Sequence, residues 1–178
     1  MSISLQTCPC QIHSLSSAIS LPLLYQDCCQ PYHDRLYDSE DNKADTAERL
    51  MRTRYSAFVL IKPEYIVKTT LPAQQALLDI NAIESWAKET DWAGLEIVAH
   101  TPKLGKRHAQ VEFRAYFNAH DKLQAHHELS AFVKIKNKAA NDATWYFLDP
   151  TVSMSITQKQ PCICGSGEKF KRCCGVYI

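Results

Sequence analysis

Four cysteines in the last 17 residues, Cys162-Ile163-Cys164 and, after eight further residues, Cys173-Cys174, limit what the end of this chain can fold into. A segment this short cannot bury enough apolar surface to fold on its own, so a cross-link has to hold it. Zn²⁺ takes four thiolates in a closed tetrahedron with Zn–S of about 2.3 Å, and in small domains the metal supplies the folding free energy. A disulfide is the weaker reading, because a bridge between neighbours such as Cys173 and Cys174 is strained. Gly165 and Gly167 follow the first pair, where the chain must turn and backbone N–H groups can face sulfur. Lys169, Lys171 and Arg172 are expected to offset the charge of a tetrathiolate centre. The run Gly165-Ser166-Gly167-Glu168-Lys169 is not a phosphate cradle, since it lacks the spacing Gly-x-x-x-x-Gly-Lys-Ser/Thr.

The other four cysteines repeat the two pairs at the opposite end, as Cys8-Pro9-Cys10 and Cys28-Cys29. The loop between these pairs holds 17 residues and no glycine, and its stretch Ser14 to Leu24 predicts a short helix. These ligand types make a second zinc site possible; the alternative is four reduced thiols, some packed as small hydrophobes. His13 and His33 are available as substitute ligands but are expected to be solvated. One zinc ion is therefore expected at the tail, with a second possible at the N-terminal segment.

The tail resembles the SEC-C motif, the zinc-binding end of the preprotein translocase ATPase and of many bacterial proteins. The resemblance implies that Cys162, Cys164, Cys173 and Cys174 all ligate the metal, and that Cys8, Cys10, Cys28 and Cys29 form a degenerate copy.

No cysteine lies between residues 29 and 162. At 46% apolar and 22% charged, the chain has the makeup of a globular protein, and the intervening body is expected to build its own core. An acidic connector, Asp34 to Thr46, ends in Asp45 or Thr46 as N-cap of a helix over Ala47 to Leu60, where Leu50, Met51, Tyr55, Phe58 and Val59 form one apolar face and Arg49, Arg52 and Arg54 fall elsewhere. Pro63 starts a second helix to Lys68, and Pro72 precedes a third over Gln74 to Lys88, with Leu77, Leu78, Ile80, Ile83, Trp86 and Ala87 as its core side. Asp91 to Gly94 closes the helical half.

The period then switches to two. Leu95 and Ile97 begin one strand, with a turn over Thr101 to Lys106. Val111, Phe113, Ala115 and Phe117 alternate with Glu112, Arg114, Tyr116 and Asn118 in a second. A third over Leu123 to Lys136 is long enough to need a bulge or a strong bend, and a fourth over Thr144 to Asp149 is extended by Val152 to Ile156. The fold class is α+β, helices packed on one face of a curved antiparallel four-stranded sheet. The segments are 1–34, 46–156 and 159–178.

The runs Ala47 to Val59, Trp92 to Glu96 and Trp145 to Asp149 resemble the YchJ family. Its members pair zinc-binding SEC-C segments at both ends with a central domain of nuclear-transport-factor-2-like fold, a cone of helices on a bent sheet. Such a cone can enclose a cavity. Its candidate polar lining here is Arg52, Tyr55, His100, Arg114, Tyr116, Glu128 and Tyr146, with Glu128 and His100 or His127 as a base and its orienter.

Three classes of function stay open. A closed thiolate site is structural, so the resemblance implies an adapter that docks a protein partner through its tail. A small-molecule ligand or enzyme chemistry in the cone is the alternative, with no catalytic residue assigned. Nucleic acid is disfavoured, because the last 20 residues carry only four basic side chains against one acidic, while residues 1–46 carry two basic and six acidic. No run approaches a membrane span, and no basic segment precedes an apolar one at the start, so the expected compartment is the cytoplasm.

Overall fold

The computed structural model describes residues 6–12, 22–35, 43–137 and 142–178. The helix expected within Ser14 to Leu24, His13, most of the acidic connector and the turn at 138–141 lie outside the described residues. The helices are α1 (Gln30–Asp34), α2 (Ala47–Val59), α3 (Pro63–Lys68), α4 (Pro72–Gln75) and α5 (Ile80–Glu89); the strands are β1 (Asp91–Leu104), β2 (His108–Ala119), β3 (Lys122–Asn137) and β4 (Asp142–Leu148). The strands form an antiparallel meander in chain order, with the helices on one face of the curved sheet.

Helix α2 organises the core. Thr46 Oγ1 accepts the Arg49 amide at 3.0 Å and satisfies a donor that has no intrahelical partner, while Glu48 sits in the first turn. Thr46→Ala is expected to cost about 1 kcal/mol, seen as a lower urea midpoint with an unchanged slope. Leu50, Met51 and Tyr55 are buried, as the helical period requires. Arg54 corrects the sequence reading: it is only 5% exposed, because it stands four residues after Leu50 and three after Met51 and so shares their buried face of the helix.

The third predicted helix is two pieces. Asp79 Oδ1 accepts the amides of Asn81 and Ala82, so a new helix starts at Ile80 and the preceding turn unwinds. Of its expected core side only Ala87 is buried, and Leu77, Ile80 and Trp86 are exposed. Asp91 to Gly94 opens β1 instead of closing the helical half, and β1 runs on to Leu104 through most of the expected turn. The irregularities expected in β3 occur in β1, at Trp92/Gly94, Ile97/Ala99 and Thr101/Leu104, whereas β3 pairs with β2 without a break from Lys122 to Val133. Gly94, at φ 145, supplies the first of these offsets. Residues Val152 to Ile156 add no strand.

On β2, Val111, Phe113 and Ala115 are buried toward the helices, while Glu112, Arg114 and Tyr116 face the other way. Part of that other face is also covered. Ser130, Ala131, Phe132 and Val133 are buried in succession, with Phe132 in the core under α2 and Ala131 and Val133 in a second apolar cluster with Leu71, Leu148 and the C-terminal cysteines. The tail is thus a lid on the back of the sheet.

Candidate metal centres and the cone cavity

The tail folds back at Pro161 and Lys169, where Cys162 N donates to Glu168 O at 2.8 Å, and it turns through Gly165 and Gly167 at φ 72 and 79. This brings Cys162, Cys164, Cys173 and Cys174 together, all buried, with their sulfur atoms within 4.8 Å of one another. Cys164 Sγ lies 3.6 Å from both Cys162 Sγ and Cys173 Sγ. The amide of Cys174 faces Cys162 Sγ at 3.5 Å and Ser166 Oγ faces Cys173 Sγ at 3.5 Å. His108, from the first position of β2, places Nε2 3.5 Å from Cys174 Sγ and stacks on Tyr177 with ring centroids 4.5 Å apart. Lys169, Lys171 and Arg172 point to solvent, so the neighbours of the sulfurs are an amide, a hydroxyl and an imidazole.

The N-terminal cluster is held against α2. Cys10 Sγ lies 3.6 Å from the sulfurs of Cys8, Cys28 and Cys29, and Cys28 and Cys29 are 3.9 Å apart. Ser56 Oγ is 3.5 Å from Cys8 Sγ, Arg49 Nη1 is 3.6 Å from Cys28 Sγ, and Arg52 Nη1 donates to Cys10 O at 3.2 Å. His33 is buried, not solvated: Nε2 donates to Thr53 O at 2.9 Å, leaving Nδ1 to accept from Tyr25 OH at 2.8 Å. Burial holds this imidazole down to about 4, so it is neutral, and both ring nitrogens are used away from the sulfurs.

Metal-free thiols packed this closely do not ionise together. Hydrogen bonding from Cys10 drives Cys28 down and Cys29 up; hydrogen bonding from Cys174 brings Cys164 down to about 4, while Cys174 is driven up. A metal entering either cluster displaces protons, so its binding weakens as pH falls.

Between α2, α5 and the sheet lies a cavity of about 690 Å³, within the range of small-molecule sites. Of the seven residues predicted to line it, Tyr55 and Glu128 do. Arg52 and His100 instead bracket Glu48 beside the N-terminal cysteines, at 2.9 and 3.5 Å. Arg114 and Tyr116 bind Glu96, at 3.2 and 2.6 Å, and lie on the opposite face of the sheet, as their own alternation with Phe113 requires. Tyr146 lines a separate pocket of about 370 Å³. Glu128 does have a histidine partner, but it is His126 at 2.9 Å; His127 pairs with Glu112 and His100 with Glu48.

Residues 46–150 match the family described as "YchJ, middle NTF2-like domain", residues 1–37 the "YchJ family protein, N-terminal zinc binding domain", and residues 159–175 the SEC-C motif. The chain belongs to the YchJ family. Relatives named UPF0225 protein are 47% identical in Actinobacillus succinogenes, over 96% of this chain and 97% of theirs, and 47% identical in Haemophilus influenzae, over 99% and 96%. A SEC-C motif containing protein from Psychrobacter arcticus, solved by crystallography, is 80% identical over all of both chains with a TM-score of 0.95. A second such protein, from Rhodopseudomonas palustris, is 33% identical over 73% of this chain and 92% of its own, with a TM-score of 0.60.

As a YchJ family member the chain is zinc-binding, and its donor sets fit the ion. A tetrahedron with Zn–S of about 2.3 Å has edges of about 3.8 Å, and the adjacent sulfurs here are 3.6 to 3.9 Å apart. When bound, zinc supplies a rigid cross-link and no open coordination position. In this YchJ protein, His108 is the residue that sequence reading missed, because its neighbour Cys174 is 66 positions away. Protonated at Nε2, it can donate to the Cys174 sulfur once zinc holds that sulfur as a thiolate. His108→Ala is expected to weaken zinc binding at the tail about 10–100-fold in competition with a chromogenic chelator, with His108→Gln recovering part of the loss.

Proposed function

We propose that this protein is a zinc-stabilised cytoplasmic adapter that docks an acidic segment of a protein partner on the outer face of its C-terminal motif, with Cys162, Cys164, Cys173 and Cys174 as ligands of one ion and Cys8, Cys10, Cys28 and Cys29 of another. The observation that carries this reading is the two-sidedness of the tail. Its inner side, with the cysteines, Phe170 and the sheet residues Leu148 and Val133, is buried, while Lys169, Lys171, Arg172 and Val176 stand in solvent around the same short loops. A cation cluster not used to neutralise the sulfurs is free for a partner's carboxylates, and a surface fixed by a metal loses little entropy on docking. Eight thiols in ligand-spaced groups support a reducing compartment, and no helix among the described residues is long and apolar enough to cross a membrane.

Deleting the tail would uncover Leu71 and Leu148 and so test folding, not docking. Reversing Lys169, Lys171 and Arg172 to glutamate leaves the buried side intact. Affinity capture with the two zinc-loaded forms is expected to show a partner that the reversed form loses and that rising salt releases. Identical captured sets would overturn the adapter reading.

A second reading is favoured by the cavity: the cone holds a small-molecule ligand. Its walls are mainly apolar, from Met51, Phe58, Ile83, Trp92 and Phe113, and it opens to solvent beside Trp86.

A further inference from the structure

Arg54 is a buried cation at the wall of the cone cavity, with the positions that satisfy it all on one edge. Nη1 donates to Ile66 O at 2.8 Å, Thr69 Oγ1 at 2.8 Å and Thr70 Oγ1 at 3.2 Å, and the guanidinium lies over the Phe147 ring with Cζ 4.4 Å from its centroid. Nε and Nη2 donate to no described residue. Arginine presents five donors in a fixed fork, and the two nitrogens without a protein partner are open to the cavity instead of sealed against it, so an acceptor that enters the cavity can reach them. The remaining charged groups on the cavity wall are acidic. Glu128 and Asp149 are half-buried and Asp79 stands at the mouth, while His126 hydrogen-bonds Glu128.

This charge pattern selects among ligands. A simple carboxylate would satisfy the Arg54 fork but add a negative charge to a wall that already carries two nearby. A simple amine would suit Glu128 and Asp149 and leave the fork bare. We infer that the cone binds a zwitterion with an apolar side chain, the chemistry of an apolar or aromatic α-amino acid, its carboxylate on the free edge of Arg54 and its ammonium toward Glu128 and Asp149. The side chain then lies against Phe58, Trp92 and Phe113. The inference rests on the reading of the cone as a ligand holder and adds to it the class of ligand.

Four probes share one ring and differ in charge: phenylalanine, 3-phenylpropionate, 2-phenylethylamine and ethylbenzene. Titrated into the zinc-loaded full chain and followed by the fluorescence of Trp86 and Trp92 and by calorimetry, phenylalanine is expected to bind at least tenfold more tightly than each of the others. Arg54→Met should bring phenylalanine to the level of 2-phenylethylamine. Should that variant not fold, Glu128→Gln, at a half-buried position, should bring phenylalanine toward 3-phenylpropionate. Binding of all four alike, or a preference untouched by the substitutions, overturns the zwitterion but keeps the ligand holder. Binding of none overturns both.

Discussion

Replacing Cys173 and Cys174 together by serine is expected to remove the zinc ion proposed at the tail and lower the melting temperature by about 10–20 °C. Loss of a structural metal belongs to the mutations that cost about 5 kcal/mol or more, and a protein of this size shifts by about 2–4 °C per kcal/mol. The tail has little else to keep it in place. Ordering about 20 residues costs at least 1 kcal/mol each in backbone entropy, or about 20 kcal/mol, whereas its buried apolar side chains contribute about 1.5–3 kcal/mol apiece, and Phe170 is the only buried one besides the cysteines. Once the tail lifts, Leu71, Ala131, Val133 and Leu148 lose their cover on the back of the sheet. Elemental analysis and calorimetry check both halves of this expectation, and a zinc content equal to the parent's, or a melting temperature within a few degrees of it, would sink it.

The cysteine spacing and the alternation Val111, Phe113, Ala115 were legible because each is a local signal: ligand pairs a residue apart and a period of two. The metal clusters and the sheet follow from them. What was hidden depends on coverage from two sides. The run Ser130 to Val133 violates alternation for that reason: one parity packs under α2 and the other under the tail. The exposure of Leu77 and Trp86 reflects a wall of an open cavity rather than a core, and no one-dimensional pattern separates the two.

Arg114 and Tyr116 are a different kind of miss. The alternation that identified β2 already set them opposite Phe113, so their place outside the cavity was readable from the same residues. The two ends also differ in how they meet the body. The tail covers the outer face of the sheet, whereas the N-terminal cysteines enter the main core beside Leu50, Met51, Tyr55 and Leu95.

That difference makes the N-terminal cluster the more damaging one to break. Cys10→Ser is expected to remove the zinc ion proposed at this end and to abolish cooperative unfolding of the body. Cys10 touches all three of its partner sulfurs, and the four thiols are at most 3% exposed within the same cluster that holds Val111, Phe113 and Phe132. Losing the ion there leaves buried thiols and the Arg49 guanidinium against one another without the charge that organised them, and it frees the segment whose Ile12 carbonyl accepts from the amide of Leu95 on β1. Each is a desolvated polar group left without its partner, at about 1–3 kcal/mol apiece, added to the loss of the metal itself. Hydrogen exchange separates the two substitutions. The tail variant should lose protection in the tail and along β4 while α2 keeps its own, and Cys10→Ser should collapse protection in α2, β1 and β2 together. If α2 stayed protected without the N-terminal ion, the cysteines there would be a passive part of the core and the metal at that end would have no structural role.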